Sequence, residues 1–470
     1  MQQNDNLVNP SVSFRFRNLG PITDAELNLG NLTVIAGRNN TGKTYLAYTL
    51  YGFLKLWRGW PNADDYFLDR KSTPHSARLI GETIAEGFAT RLVDRDTLSK
   101  ERELVLARLA SEFSDSAIAS VFSSPQDAWK KARVDVKVGN GFPDVRNLEI
   151  HLRGDKAYTI EYDGSEIKMG CSDPEEDGLD EYWLSILYLR FLLHDLFADP
   201  FVLSAERFGI SLFYKELDFT KNRLVDLLQK MGDDRDRDAF SPFELIESTT
   251  SRYALPIKDN IDYTRDISNV QKEKSEIFEE KLFNNIKDMM GGYYRSTNEE
   301  IRFISKARKE RSFSIPLHRS SSSARGLSDF YFFLRHVAKE NHLLIIDEPE
   351  SHLDTSNQIQ LARLLARVVG AGVKVLVTTH SDYLIKEINN LIMLSSSFEG
   401  KSKLAKKLKY KKNDLLPAEL VRAYVAENNS LTPCTIDEFG IDMPFFDSTI
   451  SEINRVSNEL ATHLARDGVE

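Results

Sequence analysis

The chain has 470 residues, of which 41% are hydrophobic and 28% are charged, and its formal net charge is −10. This length exceeds one compact core, so two or more structural units are expected. The acidic balance excludes a surface that is basic throughout, as general nucleic-acid binding would need, but it allows a local basic groove.

The remaining composition is typical of a soluble globular protein. No run approaches eighteen consecutive apolar residues, which predicts no transmembrane helix. The first residues, MQQNDNLVNPS, have neither a basic region nor an apolar core, so no signal peptide is predicted. Cys171 and Cys434 lie far apart and give neither a disulfide framework nor a metal site. A cytoplasmic location is therefore expected.

Strand-like patterns begin the chain and lead into a glycine-rich loop. Val12, Phe14 and Phe16 form an alternating apolar set, and further strands are predicted at Ala25–Leu29 and Leu32–Ala36. The residues that follow match G-x-x-x-x-G-K-[ST] without a mismatch. This segment, called the phosphate loop below, consists of Gly37, Arg38, Asn39, Asn40, Thr41, Gly42, Lys43 and Thr44.

The strand–loop–helix context indicates what this loop does. Its glycines let backbone N–H groups curl around phosphates, and a helix predicted over Tyr45–Leu56 adds the partial positive charge of its N-terminus. Lys43 is predicted to reach the β- and γ-phosphates, and the Thr44 hydroxyl is predicted to bind Mg²⁺. The alternative is a chance match in a glycine-containing turn.

Residues 61–200 carry no comparable motif, and only the spacing of their apolar residues indicates secondary structure. A helical insertion is predicted in residues 61–132. Its apolar face consists of Leu104, Leu106, Leu109 and Phe113. The alternation in residues 133–170 predicts an antiparallel meander, and Tyr182–Leu196 is predicted as a helix. The meander strands are centred on Val134–Val138, Leu148–Leu152 and Tyr158–Tyr162.

Phe201–Arg207 predicts a short buried strand that ends in a charged pair. Glu206 and Arg207 form either an ordinary ion pair at a strand end or a nucleotide-sensing loop on the rim of a site. Residues 211–290 predict an amphipathic helical hairpin that packs on another subunit. The apolar seam in its last part consists of Phe278, Leu282, Ile286 and Met290.

A serine-rich segment, Ser320–Gly326, follows two strands predicted at Ile301–Ser305 and Phe313–His318. Small residues let the backbone approach a ligand closely, and the helix predicted over Leu327–Val337 would point its N-terminus at that ligand. The alternative is a flexible serine linker. The small residues of this segment include Ser321, Ser322 and Ser323.

The apolar run Leu343–Ile346 leads directly into Asp347 and Glu348. Such a run is typical of a strand buried on both faces of a parallel sheet, and acids at its carboxyl end lie where ligands bind in α/β proteins. Asp347 is predicted to hold Mg²⁺, and Glu348 is predicted to polarise an attacking water. The alternative is that Asp347 only caps the next helix.

The pattern continues with a helix over Thr355–Val369 and a strand over Val373–Val377. His380 follows this strand and is predicted to contact a γ-phosphate. One more strand is predicted at Ile392–Leu394. The lysine-rich run Lys401–Lys412 is either a solvated face or a contact to a phosphate backbone. In the tail, Leu420–Val425 is predicted as a strand and Thr449–Leu464 as a helix.

Together these motifs resemble an ABC-type ATPase head of the SMC, RecF and OLD kind. The phosphate loop resembles the Walker A motif, and Leu343–Glu348 resembles Walker B with its catalytic glutamate. Ser351 and Asp354 are similar to the ends of the D-loop, and His380 is similar to the switch histidine. The serine-rich segment resembles the signature loop by position, with Ser322, Ser323 and Ala324 where two glycines are expected.

The resemblance implies an α/β fold of the ABC-type P-loop ATPase head, in which helices flank a mixed sheet. It also implies an antiparallel β part and a large helical insertion. The implied segments are 1–60 (N-terminal core with Walker A), 61–132 (helical insertion), 133–210 (β meander and core strand), 211–290 (helical insertion), 291–400 (C-terminal core with the other motifs) and 401–470 (C-terminal extension).

A narrower resemblance is to the ATPase subunits of bacterial anti-phage systems such as Septu and PARIS. It is based on Leu203–Gly209, the serine-rich segment and the tail Gly440–Asp447. It implies ATP and Mg²⁺ as cofactors, slow hydrolysis, and a head-to-tail dimer or larger homo-oligomer in which the signature-like serines and Asp354 act across the interface. It also implies a separately encoded nuclease subunit of the HNH or Toprim type, a DNA or phage-protein trigger, and no nuclease activity in this chain.

Two other classes remain open from the sequence. A DNA-repair or recombination ATPase would act directly on DNA, and its binding would weaken steeply with salt. A cytosolic transporter ATPase would need a membrane partner, and the long helical insertion disfavours it.

Overall fold

The computed structural model describes residues 12–59, 90–139, 142–143, 145–151, 157–171, 188–194, 196–214, 253–277, 286–297, 300–305, 313–443, 452 and 454–462. Among these residues, no helix is long and apolar enough to cross a membrane.

The described residues include eighteen strands and nine α-helices, with runs of consecutive strands and a β–α–β alternation from β13 to α8. The strands are β1 (Val12–Leu19), β2 (Ile22–Asn28), β3 (Leu32–Ala36), β4 (Thr90–Leu92), β5 (Arg133–Val138), β6 (Arg146–His151), β7 (Ala157–Tyr162), β8 (Glu166–Cys171), β9 (Asp199–Leu203), β10 (Gly292–Ser296), β11 (Ile301–Ser305), β12 (Phe313–Pro316), β13 (His342–Asp347), β14 (Lys374–Thr379), β15 (Val421–Glu427), β16 (Ser430–Pro433), β17 (Ile436–Asp437) and β18 (Gly440–Ile441). The helices are α1 (Lys43–Gly59), α2 (Arg95–Glu112), α3 (Ile118–Val121), α4 (Leu255–Val270), α5 (Ser322–Gly326), α6 (Ser328–Phe332), α7 (Thr355–Gly370), α8 (Asp382–Ser395) and α9 (Lys401–Lys407). Residues 188–193, 207–214, 286–290 and 454–462 are also helical.

A nine-stranded mixed sheet forms the centre of the described structure, in the order β5-β1-β2-β16-β15-β3-β14-β13-β9. The five strands from β15 to β9 are parallel to one another. Because they are parallel, β3, β14, β13 and β9 end at the same edge of the sheet. Ligands bind at this edge in open α/β sheets, so the segments that follow these strands are candidates for the functional site.

Both faces of the parallel half are covered, which explains its continuous apolar runs. In β13, Leu343 and Ile345 belong to one buried apolar cluster with α1, while Leu344 and Ile346 belong to the other with α7 and α8. All four side chains are 2% exposed or less. The prediction of a doubly buried strand before Asp347 is therefore confirmed, and so is the α/β fold class.

The prediction that Val134–Val138 belongs to the antiparallel meander is wrong. This strand, β5, pairs antiparallel with β1 in the central sheet, where Val134 lies opposite Phe16. The separate antiparallel sheet has the order β4-β8-β7-β6. An alternating pattern determines which side chains face a core, but it does not determine which strand is the neighbour.

One strand prediction and one helix-face prediction also need correction. Ile392–Leu394, predicted as a strand, lies within α8, because Ile385, Ile388 and Ile392 are buried at helical spacing. Leu104, assigned to the apolar face of the first insertion, is 62% exposed, and Val105 is buried in that helix instead. Leu106, Leu109 and Phe113 are buried as expected.

The described part of the second insertion packs on this chain's own core. In α4, the side-chain amide of Asn260 donates to Val202 O at 2.6 Å and accepts from the N–H of Ser204 at 2.7 Å. Helix α4 therefore supports the end of β9. Of the apolar seam predicted for this insertion, Phe278 and Leu282 lie outside the described residues.

Strand β15 comes from the segment predicted as a C-terminal extension, yet it lies directly beside β3 in the central sheet. It is joined to β16 by a tight connection at Asn428 and Asn429, both with positive φ. The strand predicted at Leu420–Val425 is thus present, with bounds shifted by one or two residues at each end.

Candidate active site

The phosphate loop follows β3 and wraps around the start of α1. Gly42 has a φ of +94°, and a Cβ added there would lie 2.7 Å from Ile22 Cγ1. Gly37 is constrained equally, since an added Cβ would lie 2.6 Å from Ala426 O. The loop therefore needs both glycines for its close approach to the neighbouring strands.

Lys43 begins α1 and is only 5% exposed. Its Nζ donates to Gly37 O at 2.9 Å and to Arg38 O at 2.8 Å, so the ammonium lies under the loop that would surround phosphates. Burial lowers the pKa of Lys43, while the carboxylates of Glu348 and Asp347 act in the opposite direction. The remaining loop residues Arg38, Asn39, Asn40 and Thr41 form the turn itself, in which Asn40 has a positive φ.

The hydroxyl of Thr44 meets the carboxylate of Asp347, although the two residues are 303 positions apart. Thr44 Oγ1 lies 3.0 Å from Oδ2 and 3.2 Å from Oδ1 of Asp347. The hydroxyl of Thr378, on the adjacent strand β14, also donates to Asp347 Oδ1. Asp347 is 1% exposed, and burial raises the pKa of its carboxyl to about 6. The hydrogen bonds from Thr378 and Thr44 act in the opposite direction and lower this pKa.

Glu348 follows in an unusual backbone conformation, with a φ of +48°. Its N–H donates to the carbonyl and the hydroxyl oxygen of Thr378, both at 3.1 Å. Its side chain accepts from the Ser351 hydroxyl at 3.2 Å and lies 3.7 Å from His380 Nδ1. A non-glycine residue in the left-handed region is strained, and such strain concentrates at functional sites.

His380 lies between two carboxylates at the end of β14. Its Nδ1 is 3.3 Å from Oε1 of Glu350, which is 4% exposed. The same Oε1 accepts from the backbone N–H of His380 and from the Thr379 hydroxyl, each at 2.7 Å. Glu350 therefore fixes the end of β14, while the His380 side chain remains 46% exposed and able to reach a ligand.

The two remaining predicted motifs lie on separate segments. Asp354 caps α7 by accepting from the N–H of Asn357 at 3.0 Å, and Ser351 contacts Glu348 as described above. The serine-rich segment is a short helix rather than a loop: Ser321 caps α5, while Ser322 and Ser323 are half-buried within it. The helix predicted over Leu327–Val337 is divided into α6 and a π-helical turn at Phe333–Val337.

Glu206 and Arg207 do not form the simple ion pair considered from the sequence. Glu206 is exposed and accepts from the Tyr48 hydroxyl at 3.1 Å. Arg207 is 4% exposed and turns inward to main-chain carbonyls, including those of Asp347 and Glu348 at 2.8 Å. The second interpretation, a nucleotide-sensing loop on the rim of the site, stays a prediction, and Arg207 itself begins a helix rather than lying in a loop.

The donor set fits Mg²⁺ and a nucleotide phosphate. One hydroxyl and one carboxylate oxygen, from Thr44 and Asp347, lie within 3.0–3.2 Å of each other, and Mg²⁺ takes such oxygens together with waters and phosphates. Within the described ranges no group of three His, Cys, Asp or Glu side chains could hold a metal by itself. The phosphate loop, the N-terminus of α1 and Lys43 supply the features that bind phosphate.

Two residues of this site, Glu350 and Thr378, were missed by the sequence analysis, and Arg207 was singled out without its contacts to main-chain carbonyls. A second acid after Pro349 and two threonines before His380 were visible, but nothing local indicated where they point. Their contacts arise because β13 and β14 pair in parallel with Asp347 opposite Thr378. The signal for Arg207 was its position after a buried strand.

Comparisons with known proteins agree with this chemistry. Residues 227–385 match the family model described as an AAA ATPase domain, a range that includes Asp347, Glu348 and His380 but not the phosphate loop. A search of curated proteins found no match. The matched range is therefore similar to an ATPase domain, and the phosphate loop, which lies outside that range, and the acidic strand supply the groups that ATP hydrolysis needs.

Three solved structures have low-identity similarity. The Smc head domain with an extended coiled coil bound to the C-terminal domain of ScpA, from Pyrococcus furiosus, is 12% identical, with a TM-score of 0.33 over 95% of this chain and 100% of that chain. The SMC head domain from Thermotoga maritima is 10% identical, with a TM-score of 0.30 over 91% and 99%. The SmcHead bound to the C-winged helix domain of ScpA is 12% identical, with a TM-score of 0.31 over 80% and 90%.

Proposed function

We propose that this chain binds ATP with Mg²⁺ and hydrolyses it slowly as the oligomeric subunit of an anti-phage complex that controls a nuclease. The observation that carries the ATPase part is the contact between Thr44 and Asp347 at 3.0 Å. It joins the two expected Mg²⁺ ligands beside a buried lysine and a second acid. The motif roles inferred from the sequence are part of this proposal, and so are the six segments, except that segments 133–210 and 401–470 also contribute β5 and β15 to the central sheet.

Each group of the site has one proposed role in ATP binding or hydrolysis. Lys43 and the backbone N–H groups of the phosphate loop bind the β- and γ-phosphates, and Thr44 and Asp347 hold the metal. Bound Mg²⁺ would neutralise charge that develops on the phosphate oxygens. Glu348 orients the attacking water and accepts its proton, and its 3.2 Å bond to Ser351 supports its orientation. His380, steadied by Glu350, contacts the γ-phosphate.

The oligomeric part of the proposal assigns the serine-rich segment to a partner subunit's nucleotide. Ser321 is exposed, and Ser322 and Ser323 are half-buried at the start of α5. Asp354, at the start of α7, is proposed to face the same interface. A head-to-tail dimer would then complete each site, as the motif order of ABC-type heads implies. The nuclease subunit, of HNH or Toprim type, and a DNA or phage-protein trigger are proposed from that resemblance alone.

Two variants test the ATPase. We expect Lys43→Ala to abolish nucleotide binding and Glu348→Gln to bind ATP while losing about 10²–10⁴-fold in turnover. The matched controls are Lys137→Ala and Glu399→Gln, which change exposed residues of the same types. Steady-state phosphate release and equilibrium binding of labelled ATP are the measurements. Wild-type turnover by Glu348→Gln would show that the assigned role of Glu348 is wrong.

The defence assignment is tested by capture of tagged Glu348→Gln protein from its native host with ATP present, followed by mass spectrometry. A stoichiometric nuclease would support the proposal, and its HNH or Toprim type would distinguish the two named systems. Recovery of a permease, or of nucleic acid without protein, would contradict it. Gel filtration with and without ATP shows separately whether nucleotide drives self-association.

A DNA-repair or recombination ATPase is the second candidate, and one surface feature favours it. In the part of the chain that the structure describes, Lys403, Lys406 and Lys407 on α9 are exposed and make no ion pair. Such lysines suit a phosphate backbone, in contrast to the net charge of −10 of the whole chain. Duplex DNA that stimulates ATP turnover, with binding that weakens steeply with salt and is lost in a triple Lys→Glu variant, would move this candidate ahead.

A further inference from the structure

Arg207 is a buried guanidinium whose hydrogen bonds all go to main-chain carbonyls. It is 4% exposed and lies at the start of the helix in residues 207–214, just beyond β9. Nη1 donates to Ser204 O at 2.9 Å and to Asp347 O at 2.8 Å, and Nη2 donates to Glu348 O at 2.8 Å. Nε donates to Gly326 O at 3.1 Å. One side chain thus connects three segments that are distant in the sequence.

This environment is costly for a charged group. Within the described ranges no carboxylate lies close enough to form an ion pair with Arg207. Burial lowers the pKa of its guanidinium, while the nearby carboxylates of Asp347 and Glu350 act in the opposite direction. A buried charge without a paired counterion is unfavourable unless carbonyl oxygens satisfy its donors. An apolar side chain could fill the space without this cost, so the arrangement favours a role that needs the guanidinium fork.

The first segment held by Arg207 contains the proposed catalytic carboxylate. Glu348 has a φ of +48°, so its main chain is strained. Its N–H is bound by Thr378 and its carbonyl by Arg207, so both peptide groups that flank its Cα are fixed. The direction of the Glu348 side chain is set by this backbone, because its φ and ψ determine where the Cα–Cβ bond points.

The second segment is the serine-rich helix α5. Gly326, whose carbonyl accepts from Arg207, is the last residue of α5, and Ser321 caps its other end. The whole helix is five residues long. A shift of α5 would therefore stretch the bond to Nε of Arg207, and the same planar guanidinium holds the carbonyl of Glu348.

We infer that Arg207 is a positioning residue that holds the main chain of Glu348 and couples it to the serine-rich helix α5. The inference rests on the proposed ATPase function and deepens it by naming the link between the two motifs. Binding of a partner's nucleotide at α5 would then be communicated to the catalytic carboxylate through one guanidinium. Arg207 touches neither nucleotide nor metal in this scheme.

The test is Arg207→Lys, which keeps the charge but replaces the planar guanidinium by one ammonium nitrogen, so that the donors can no longer be spread over the positions of Nε, Nη1 and Nη2. We expect kcat to fall by up to about 100-fold, as for a displaced catalytic group, while ATP affinity stays within about threefold because Lys43 and Thr44 are unchanged. The matched control is Arg422→Lys, an exposed arginine that donates to Glu419 O and Val421 O. It should leave both quantities unchanged.

Two double variants distinguish positioning from a general structural role. In the Glu348→Gln background, Arg207→Lys should cause no further loss of the residual rate, since the group it positions is already absent. Ser321→Ala, which removes the cap of α5, should lower kcat in the wild type but not in Arg207→Lys. Additive losses in the first pair would overturn the positioning role, and additive losses in the second would overturn the coupling.

Other outcomes are equally decisive. If Arg207→Lys loses ATP affinity in proportion to turnover, Arg207 is only structural and the inference fails. The inference also fails if the far-ultraviolet circular dichroism spectra show that both Arg207→Lys and the neutral Arg207→Gln are unfolded. If Glu348→Gln turns over ATP at the wild-type rate, the proposed function fails instead. If Glu348→Gln is inactive while Arg207→Lys keeps its full kcat, only the inference about Arg207 is lost.

Discussion

Thr378 offers a sharp test of the proposed site, because its hydroxyl contacts both carboxylate residues of the acidic strand. It donates to Oδ1 of Asp347, and its oxygen accepts from the N–H of Glu348 at 3.1 Å. The side chain is completely buried. Thr378→Val removes only the hydroxyl and keeps the shape, and Thr378→Ser keeps the hydroxyl and removes a methyl group.

The expected size of the effect follows from these contacts. A hydrogen bond to a charged group contributes about 1.5–3 kcal/mol, and its loss leaves a buried carboxylate less satisfied. If this interaction energy is lost from the transition state because Asp347 is no longer oriented, kcat/KM drops by about 10- to 150-fold. Thr378→Ser loses about 0.8 kcal/mol of apolar burial and should stay within about threefold of the wild type in activity.

The assay compares both variants with the wild type in urea unfolding and in Mg²⁺-dependent ATP turnover. Thr432→Val, an exposed threonine on β16, is the control for the substitution itself. Thr378→Val should lose about 1–3 kcal/mol of unfolding free energy and Thr378→Ser about 0.8 kcal/mol, but only Thr378→Val should lose activity. If Thr378→Val and Thr378→Ser have equal turnover, the hydroxyl does not orient Asp347, and the reasoning is refuted.

Two further predictions concern stability. Burial raises the pKa of the Asp329 carboxyl from 3.8 to about 6. Between these two pH values the folded protein binds more protons than the unfolded chain, so the free energy of unfolding falls as the pH rises through about 6. Asp329→Asn should remove this dependence and unfold at higher urea than the wild type at pH 8, by up to about 3 kcal/mol, whereas equal pH slopes in the two proteins would contradict it. Gly42→Ala should destabilise by at least about 1–2 kcal/mol and weaken ATP binding, because its φ is +94° and its new Cβ would lie 2.7 Å from Ile22. Gly370→Ala, at a helical position with open space, is the control and should be neutral or slightly stabilising; equal urea midpoints for the two alanine variants would show that the loop tolerates a side chain.

The sequence predicted those parts of the molecule whose signals are local. The glycine spacing of the phosphate loop and the apolar run before Asp347 each predicted the end of a strand, and both strands end where they were expected. The neighbours of β5 and β15 were not predictable, because strand pairing between distant segments depends on the whole fold. The inward direction of Arg207 was not predictable either, since a charged residue after a buried strand is usually exposed.

The order of the strands explains why the site depends on residues outside its motifs. Strand β14 lies between β3 and β13, with Thr379 opposite Ala36 on one side and Thr378 opposite Asp347 on the other. The phosphate loop and the acidic strand are therefore not neighbours in the sheet, and β14 sets the distance between them. A slip of β14 by one residue would turn the Thr378 hydroxyl to the opposite face and remove it from Asp347. The site is thus formed by the ends of four adjacent strands, β3, β14, β13 and β9, and the position of β14 determines how the phosphate loop and the acidic strand lie relative to each other.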